Sequence, residues 1–399
     1  MTHVYRECLG RRHAKWLIVT NLVGRLPNGM APLAIALFLR EQGFSYGIVG
    51  GLVGLFAVAT AIGGPLLGRV VDRRGQPAVL IGSAVVSAAA FAVLALVDGD
   101  EIWWAALDIF IAGLLTPPLE PCLRSLWPDV MPGERALNAA YALDAALQEV
   151  LYIVGPLLVI AVVAVVSPTA AVLTIAAVTI VGTLAFVAAP PVRRWRGHPS
   201  EAGWLGPLRS AQLRVLLLAL CFVGFVLGVF SIAVVGYGES VGDDSVAGVL
   251  LGAHAFGALI GGLAYGARTW WGTARRQLPW LLGALTLSYV PLILVGTPLV
   301  MAGLMVLAGL FLSPVLAAGF IITGQVAPKG TATEAFAWLV SIILVGNAAG
   351  AVVAGLAQPI GQWAVFLLPV LGAVAALAVV VVGKMAREPV EEKVSEPVH

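Results

Sequence analysis

The chain has 399 residues, of which 60% are hydrophobic and 11% are charged, and its formal net charge is +2. This apolar composition excludes an ordinary water-soluble domain. The nearly balanced charge gives no reason to expect a nucleic-acid partner. Three cysteines, Cys8, Cys122 and Cys221, are too few for a disulfide framework, so we interpret them as free thiols.

Twelve apolar segments follow one another along the chain, each long enough to cross a membrane. A helix of about 20 apolar residues spans a hydrocarbon layer about 30 Å thick. The pattern therefore predicts an all-α integral membrane protein embedded in a lipid bilayer. The predicted spans are 15–39, 45–68, 77–97, 102–127, 136–166, 168–190, 212–237, 245–268, 277–296, 299–325, 332–357 and 361–384.

Basic residues are distributed unevenly between the predicted loops. With both termini in the cytoplasm, 21 of the 23 Lys and Arg residues fall on the cytoplasmic side, while Arg40 lies outside and Arg25 lies inside a span. Short cytoplasmic loops carry an excess of Lys and Arg, so this distribution predicts an inner-membrane protein with both termini cytoplasmic.

A polar stretch from Pro190 to Gln212 divides the spans into two sets of six. Glycines and prolines recur in the same order in both sets, as expected of a transporter built from parallel repeats. The predicted parts are a cytoplasmic N-terminus (1–14), an N-terminal six-helix bundle (15–190), a cytoplasmic linker (191–211), a C-terminal six-helix bundle (212–384) and a disordered cytoplasmic tail (385–399).

The loop after the second span carries the most specific motif. Residues 68–80 read GRVVDRRGQPAVL, which resembles the signature loop of the major facilitator superfamily. Gln76 and Pro77 depart from the basic pair usual in that motif. In the fifth span, Gly155-Pro156 resembles part of a motif of the family's exporters, without the glycine pair that follows it. The chain is therefore most similar to the drug and sugar efflux branch.

The resemblance implies that this loop is a conformational latch between two pseudo-symmetric six-helix bundles, the major facilitator fold. Its implied residues are Gly68, Asp72, Arg73 and Gly75. Asp72 is expected near the start of the eleventh span, with a helix N-terminus and Arg124 or Arg135 as partners. The alternative is an ordinary turn whose arginines only set the topology.

Several polar residues lie at depths where lipid excludes them. An ionisable side chain at membrane depth is costly, so it is expected to face a cavity or a partner. Asn21, Arg25 and Asn28 share one face of the first span, although Arg25 could instead pair with an acid to hold that span in place. The candidate residues for a substrate cavity are Asn21, Arg25, Asn28, Tyr141, Gln148, Tyr152 and His254.

Two acids in the fifth span are candidates for proton coupling. Asp144 and Glu149 are five residues apart, so the 100° helical step turns them about 140° apart and they cannot share one site. Glu149 lies near mid-membrane and is the first choice, with Arg25 as a neighbouring cation, whereas Asp144 lies closer to the cytoplasmic end. The alternative is a static ion pair. Glu120 and Arg124 in the fourth span are four residues apart and predict a structural pair.

The leading hypothesis is a secondary transporter that exports a small organic molecule in exchange for protons by alternating access. Motifs for ATP hydrolysis, zinc proteases and paired-cysteine metal sites are missing, so we expect neither an enzyme nor a cofactor or metal. An importer or facilitator of a sugar or other nutrient is the alternative, and a non-transporting membrane receptor is a third. A monomer is the family default.

Overall fold

The computed structural model describes residues 2–96, 102–131, 133–197, 203, 205–243, 245–268 and 270–383, and the predicted tail at 385–399 lies outside them. The described residues form helices and no strand. The α-helices are α1 (Thr2–Gly10), α2 (Ala14–Glu41), α3 (Tyr46–Arg74), α4 (Gln76–Leu96), α5 (Ile102–Leu114), α6 (Leu119–Val130), α7 (Glu134–Val165), α8 (Pro168–Val187), α9 (Pro190–Arg194), α10 (Ala211–Val241), α11 (Ser245–Ala267), α12 (Ala274–Tyr289), α13 (Pro298–Gly309), α14 (Leu312–Val326), α15 (Ala332–Ala357) and α16 (Gln362–Val382).

Twelve helical segments among the described residues are long and apolar enough to cross a membrane, which confirms the predicted number. The fourth span consists of α5 and α6 and the tenth of α13 and α14, each broken near its middle. The predicted end of the second span, residue 68, is wrong. The span continues to Arg74, because the motif is helical as far as Gly75, where a φ of 89° ends the helix.

The spans pack as two six-helix bundles, which confirms the predicted fold class. In the first bundle α2 lies against α8, and α3 lies against α5. In the second bundle α10 lies against α15 and α16, and α11 lies against α13. Because the fourth and tenth spans occupy equivalent places in the two sets, their matching breaks agree with the pseudo-symmetry.

The close contacts between the bundles lie towards one end of the molecule. A Cβ added at Gly68 of α3 would lie 3.0 Å from the Cα of Glu334 in α15, so glycine permits this approach. A Cβ at Gly262 of α11 would lie 2.9 Å from the Cβ of Ala146 in α7. Towards the other end, Cβ atoms at Gly50 of α3 and Gly248 of α11 would meet nothing within 4 Å. We call the end with Asp72 the closed end and the opposite end the open end.

A short N-terminal helix, α1, lies at the closed end, where the sequence predicted only a terminal segment. Val4 and Cys8 are buried, and α1 packs against α7 of the first bundle. The Tyr5 hydroxyl donates a hydrogen bond of 2.8 Å to the Leu263 carbonyl oxygen in α11 of the second bundle. The helix therefore contacts both bundles on the side where they meet.

The buried position of Cys8 gives a test of this packing. Burial raises the pKa of the Cys8 thiol to about 11, so little thiolate is present at pH 7. Only the thiolate reacts with maleimides, and an unperturbed thiol has a pKa of about 8.5, so we expect labelling to be slower by about a hundredfold or more. The rate should rise as the pH approaches the pKa. Mass spectrometry of a Cys122→Ala, Cys221→Ala variant measures the rate at Cys8 alone.

An exposed position on the same helix provides the control. In that background, Arg6→Cys combined with Cys8→Ala should be labelled at the rate of a free thiol, because Arg6 is exposed. Equal rates at Cys8 and at the control position would show that α1 does not bury Cys8.

Candidate functional site

Four charged side chains form a closed ring inside the first bundle. Arg25 of α2 contacts Asp144 of α7 at 2.7 Å and Glu120 of α6 at 3.0 Å. Arg124 of α6 contacts Asp144 at 2.7 Å and also pairs with Glu120. All four side chains are at most 9% exposed. Each arginine therefore contacts both acids, and the ring joins three spans.

Neutral groups complete the surroundings of the ring. The side-chain amide oxygen Oε1 of Gln148 accepts hydrogen bonds from Arg25 at 3.3 Å and from Arg124 at 3.1 Å. The Arg124 guanidinium lies 3.4 Å from the centroid of the Phe320 ring in the second bundle. The helix α6 begins directly after Pro118. Glu120 and Arg124 therefore lie one helical turn apart, and both are buried.

The ring is electrically neutral, which changes the interpretation of Arg25. With two arginines and two acids, no net positive charge remains to attract an anion. The expectation that Arg25 is the neighbouring cation of Glu149 is wrong, because Arg25 pairs with Asp144 and Glu120 instead. The pair predicted between Glu120 and Arg124 is present as half of the ring.

A cavity of about 770 Å³ lies between the bundles, above the ring and towards the open end. Most of its walls are apolar side chains of α7, α10, α11, α14 and α15. Glu120 and Glu149 are the charged residues that line it among the described residues. Glu120 is neutralised within the ring, so Glu149 alone gives this cavity a charge.

Glu149 has no hydrogen bond or ion pair within the described part of the chain. Nearby on the second bundle, His254 lines the cavity, and its Nε2 lies 2.9 Å from the hydroxyl of the fully buried Tyr289. The His254 ring also packs against the Phe230 ring, with 4.2 Å between the centroids and a tilt of 33° between the ring planes. A carboxylate thus faces a polar pair across the cavity without a counter-ion.

All but one of the cavity and coupling candidates from the sequence fall into two groups, and Asn28 belongs to neither. Gln148, Glu149, Tyr152 and His254 line the cavity. Asn21, Arg25, Tyr141 and Asp144 are buried beneath it.

Four residues predicted to line the cavity do not line it: Asn21, Arg25, Asn28 and Tyr141. Asn21 donates to the Leu119 carbonyl oxygen, and the Tyr141 hydroxyl donates to the Arg124 carbonyl oxygen, so both serve the packing around the ring. Asn28 is half-buried and does not line the cavity. Glu120 lines the cavity although the sequence interpretation gave it only a structural pair with Arg124. The available signal was its position within a span, where an ionisable side chain is expected to face a cavity or a partner.

At the closed end, Asp72 caps a helix of the opposite bundle. Its two carboxylate oxygens accept hydrogen bonds from the backbone N–H groups of Thr333 at 3.1 Å and Glu334 at 2.9 Å. These belong to the first turn of α15, whose own N-cap residue, Thr331, makes no side-chain capping bond. Asp72 thus supplies the missing cap from α3, with favourable charge at a helix N-terminus.

The other contacts of this motif differ from the expected ones. Arg69, not Arg73, makes the ion pair across the bundles, with two bonds of 2.6 and 2.9 Å to Glu334. Arg73 is exposed and has no ion pair in the described part of the chain. Neither Arg124, which belongs to the ring, nor the exposed Arg135 is a partner of Asp72, so that expectation is wrong.

Gln76, which replaces a basic residue of the motif, is fully buried. Its amide donates to the Cys122 carbonyl oxygen at 3.0 Å and to the Ser125 hydroxyl at 3.3 Å. Ser125 in turn receives a hydrogen bond from the Thr333 hydroxyl of α15. The amide therefore joins α4 to α6, directly beside the contact between the bundles.

Comparison with known proteins gives a family match and more distant relatives. The family model described as Major Facilitator Superfamily matches residues 17–299. Macrolide efflux protein A of Streptococcus pyogenes is 28% identical over 137 residues, 34% of each chain. Macrolide efflux protein A of Enterococcus faecalis is 31% identical over 99 residues, 24% of this chain and 30% of that protein. The matched region is about a third of the length of these relatives.

Solved structures match nearly the whole chain. A bacterial homologue of the iron transporter ferroportin in an outward-facing state has a TM-score of 0.77 at 14% identity, covering 94% of this chain and 99% of that one. The human organic anion transporter TETRAN has a TM-score of 0.72 at 16% identity, covering 92% and 98%. At such identities the likeness shows the fold alone.

The ring predicts a large effect on stability when one acid is removed. Asp144→Ala leaves two buried guanidinium groups with Glu120 as the remaining acid, and breaking a buried pair in this way typically costs about 3–5 kcal/mol. We expect a clearly lower Tm in detergent, followed by tryptophan fluorescence. Glu149→Gln removes a carboxylate without a partner and should leave the Tm nearly unchanged. Equal Tm values for the two variants would contradict the proposed importance of the ring.

The Asp72 contact predicts a shift in how often the closed end opens. Asp72→Asn removes the charge from the cap, at a cost of about 1 kcal/mol, which corresponds to about fivefold more of the opened form. Because Cys8 lies at the closed end, its labelling rate should rise about fivefold in the Cys122→Ala, Cys221→Ala background. Arg73→Gln is the control and should change nothing. If the labelling rate of Cys8 rose in Arg73→Gln but not in Asp72→Asn, Arg73 and not Asp72 would be the residue that holds the closed end together.

Proposed function

Because the chain belongs to the major facilitator superfamily, as the motif at residues 68–80 predicted, we propose that it exports a small organic molecule in exchange for protons. The membership makes it a multi-pass membrane transporter. Proton exchange and the direction of transport are our proposal. The observation that supports it is Glu149, an acid without a partner in a central cavity whose other nearby charges are neutralised.

The orientation follows from the basic residues. Arg69, Arg73 and Arg74 lie at the closed end, and short loops rich in arginine remain in the cytoplasm, so we place the closed end and both termini there. The cavity then faces the outside of an inner membrane. This is the arrangement from which an exporter releases its substrate before it returns to collect another.

The charges of the cavity favour a cationic amphipathic substrate. Arg25 offers no site for an anionic ligand, because the ring leaves no net positive charge there. The cavity instead offers one carboxylate, Glu149, and apolar and aromatic walls such as Phe230 and Phe320. An organic cation gains both an ion pair and apolar contact in such a site.

A single carboxylate can couple proton entry to substrate export, because the proton and the substrate compete for it. Glu149 can hold a proton or pair with a cationic substrate, but protonation removes the charge that attracts the substrate. Binding of each ligand therefore weakens binding of the other, and by linkage the effect is reciprocal. If the carboxylate meets cytoplasm and exterior in turn, protons that enter drive the substrate out. No cofactor is required in this proposal.

Macrolides are rational first probes because the relatives are named macrolide efflux proteins. Those matches cover only about a third of each relative, so their substrate is a starting point for the tests. The cavity of about 770 Å³ has room for a large organic molecule.

The test measures proton movement in inverted membrane vesicles whose interior has been acidified. Macrolides, other cationic amphipathic compounds, organic anions and sugars are added in turn, and a pH-sensitive dye reports loss of the gradient. We expect macrolides or other organic cations to dissipate it with the wild type and not with Glu149→Gln. The control is Asp108→Asn, which removes a carboxylate of α5 that does not line the cavity and should behave as the wild type.

The outcomes separate the alternatives. Dissipation that persists in Glu149→Gln would show that another group couples the proton. Transport of a sugar or an anion without any effect on the gradient would replace the exporter with a facilitator of that compound. No movement of any compound by folded protein would favour a receptor.

A further inference from the structure

A second pocket, of about 560 Å³, opens at the closed end of the first bundle, away from the central cavity. It lies between the turn that joins α1 to α2, the last turn of α6, and α9. Three arginines line it: Arg11, Arg12 and Arg194. They come from opposite ends of the bundle's sequence, so the fold brings them together.

The pocket has more positive charge than its acids neutralise. Arg11 contacts Glu7 at 3.5 Å, and both side chains are more than 40% exposed, so this pair is weak. Arg12 and Arg194 form no ion pair in the described part of the chain. Asp129 is the acid in the lining. Three cations and one acid leave the lining with a net positive charge, and a bound anion would reduce the repulsion between the guanidinium groups.

The position of the pocket places it at the level of lipid headgroups. Trp195 forms part of its wall. Trp16, in the first turn of α2, is 51% exposed, and its indole nitrogen donates to the Ala185 carbonyl oxygen near the end of α8 at 2.9 Å. Exposed tryptophans with one bound polar edge are typical of the boundary between hydrocarbon and water. The pocket therefore faces both the lipid and the aqueous side.

We propose that this pocket binds the phosphate group of an anionic phospholipid. Guanidinium groups match phosphate oxygens in geometry and charge, and basic pockets on the cytoplasmic side of membrane helices are known to take acidic headgroups. Arg12 and Arg194 hold the phosphate, and Arg11 adds charge. A bound headgroup would join the turn between α1 and α2 to α9, and so fix the start of the linker to the first bundle.

The experiment measures thermal unfolding of the delipidated full chain as lipid is added. Phosphatidylglycerol is the anionic probe, phosphatidylcholine the zwitterionic one, and inorganic phosphate the soluble one. We expect phosphatidylglycerol to raise the Tm and the other two to do so much less. The double variant Arg12→Gln, Arg194→Gln should raise the Kd for phosphatidylglycerol about 30-fold, which corresponds to about 2 kcal/mol for two basic residues.

Two further variants make the result specific. Arg135→Gln, Arg209→Gln removes two exposed arginines that do not line the pocket, and it should keep the wild-type Kd. Arg194→Lys keeps the charge but loses the paired hydrogen bonds, so its Kd for phosphatidylglycerol should lie between those of the wild type and the double variant. This conservative change also tests the proposal if the double variant fails to fold.

Three results would overturn the proposal. The first is an equal Tm rise with phosphatidylcholine, and the second is an unchanged Kd in the double variant. The third is an equal rise with inorganic phosphate, which would assign the pocket to a free anion instead of a lipid.

Discussion

The ring formed by Arg25, Arg124, Glu120 and Asp144 is the constraint on which the centre of the molecule depends. In hydrocarbon a charge without a partner is very costly, so these side chains fix the rotation of α2, α6 and α7 relative to one another. The second bundle has no such ring at equivalent depth in its described spans. Its contribution to the cavity is aromatic and aliphatic, with the His254 and Tyr289 pair as a polar exception. Ion pairs thus fix the helices of the first bundle around the cavity, whereas apolar packing predominates in the second bundle.

The contacts that join the bundles are of a different kind. Asp72 binds two backbone N–H groups of α15, and Arg69 binds Glu334 at a site where the arginine is partly exposed. Each of these interactions contributes on the order of 1 kcal/mol, less than the about 3–5 kcal/mol that the loss of one partner of a buried ion pair costs. Contacts of this strength can be broken and remade as the bundles move. The ring can stay intact throughout, because all four of its members belong to one bundle.

The spans were predictable because hydropathy is a local property, and residues 168–187, for example, can be recognised without their neighbours. The family motif was also visible. The partners of the charged residues were not, because Arg25 and Asp144 are 119 positions apart and helical periodicity does not define how two helices face each other. The same limit explains why Arg73 was chosen instead of Arg69. Arg69 lies three positions before Asp72 and shares its face, but α15 had to be placed to show it. The helix α1 was missed because its burial depends on α7 and α11.

The ring also sets an order for the synthesis of the protein. Arg25 belongs to the span Ala14–Glu41, whereas Glu120 and Asp144 are added 95 and 119 residues later, so the cation reaches the membrane long before its acids. Until then its guanidinium must remain hydrated, at the bilayer surface or beside the insertion machinery. The first span therefore settles at its final depth only after the fourth and fifth spans arrive. The ring is complete once the nascent chain has passed its fifth span, and the sixth span, α8, then packs against α2 to finish the bundle. A chain truncated before the fifth span would leave Arg25 without Asp144 in the membrane, which is the kind of defect that membrane quality control can recognise.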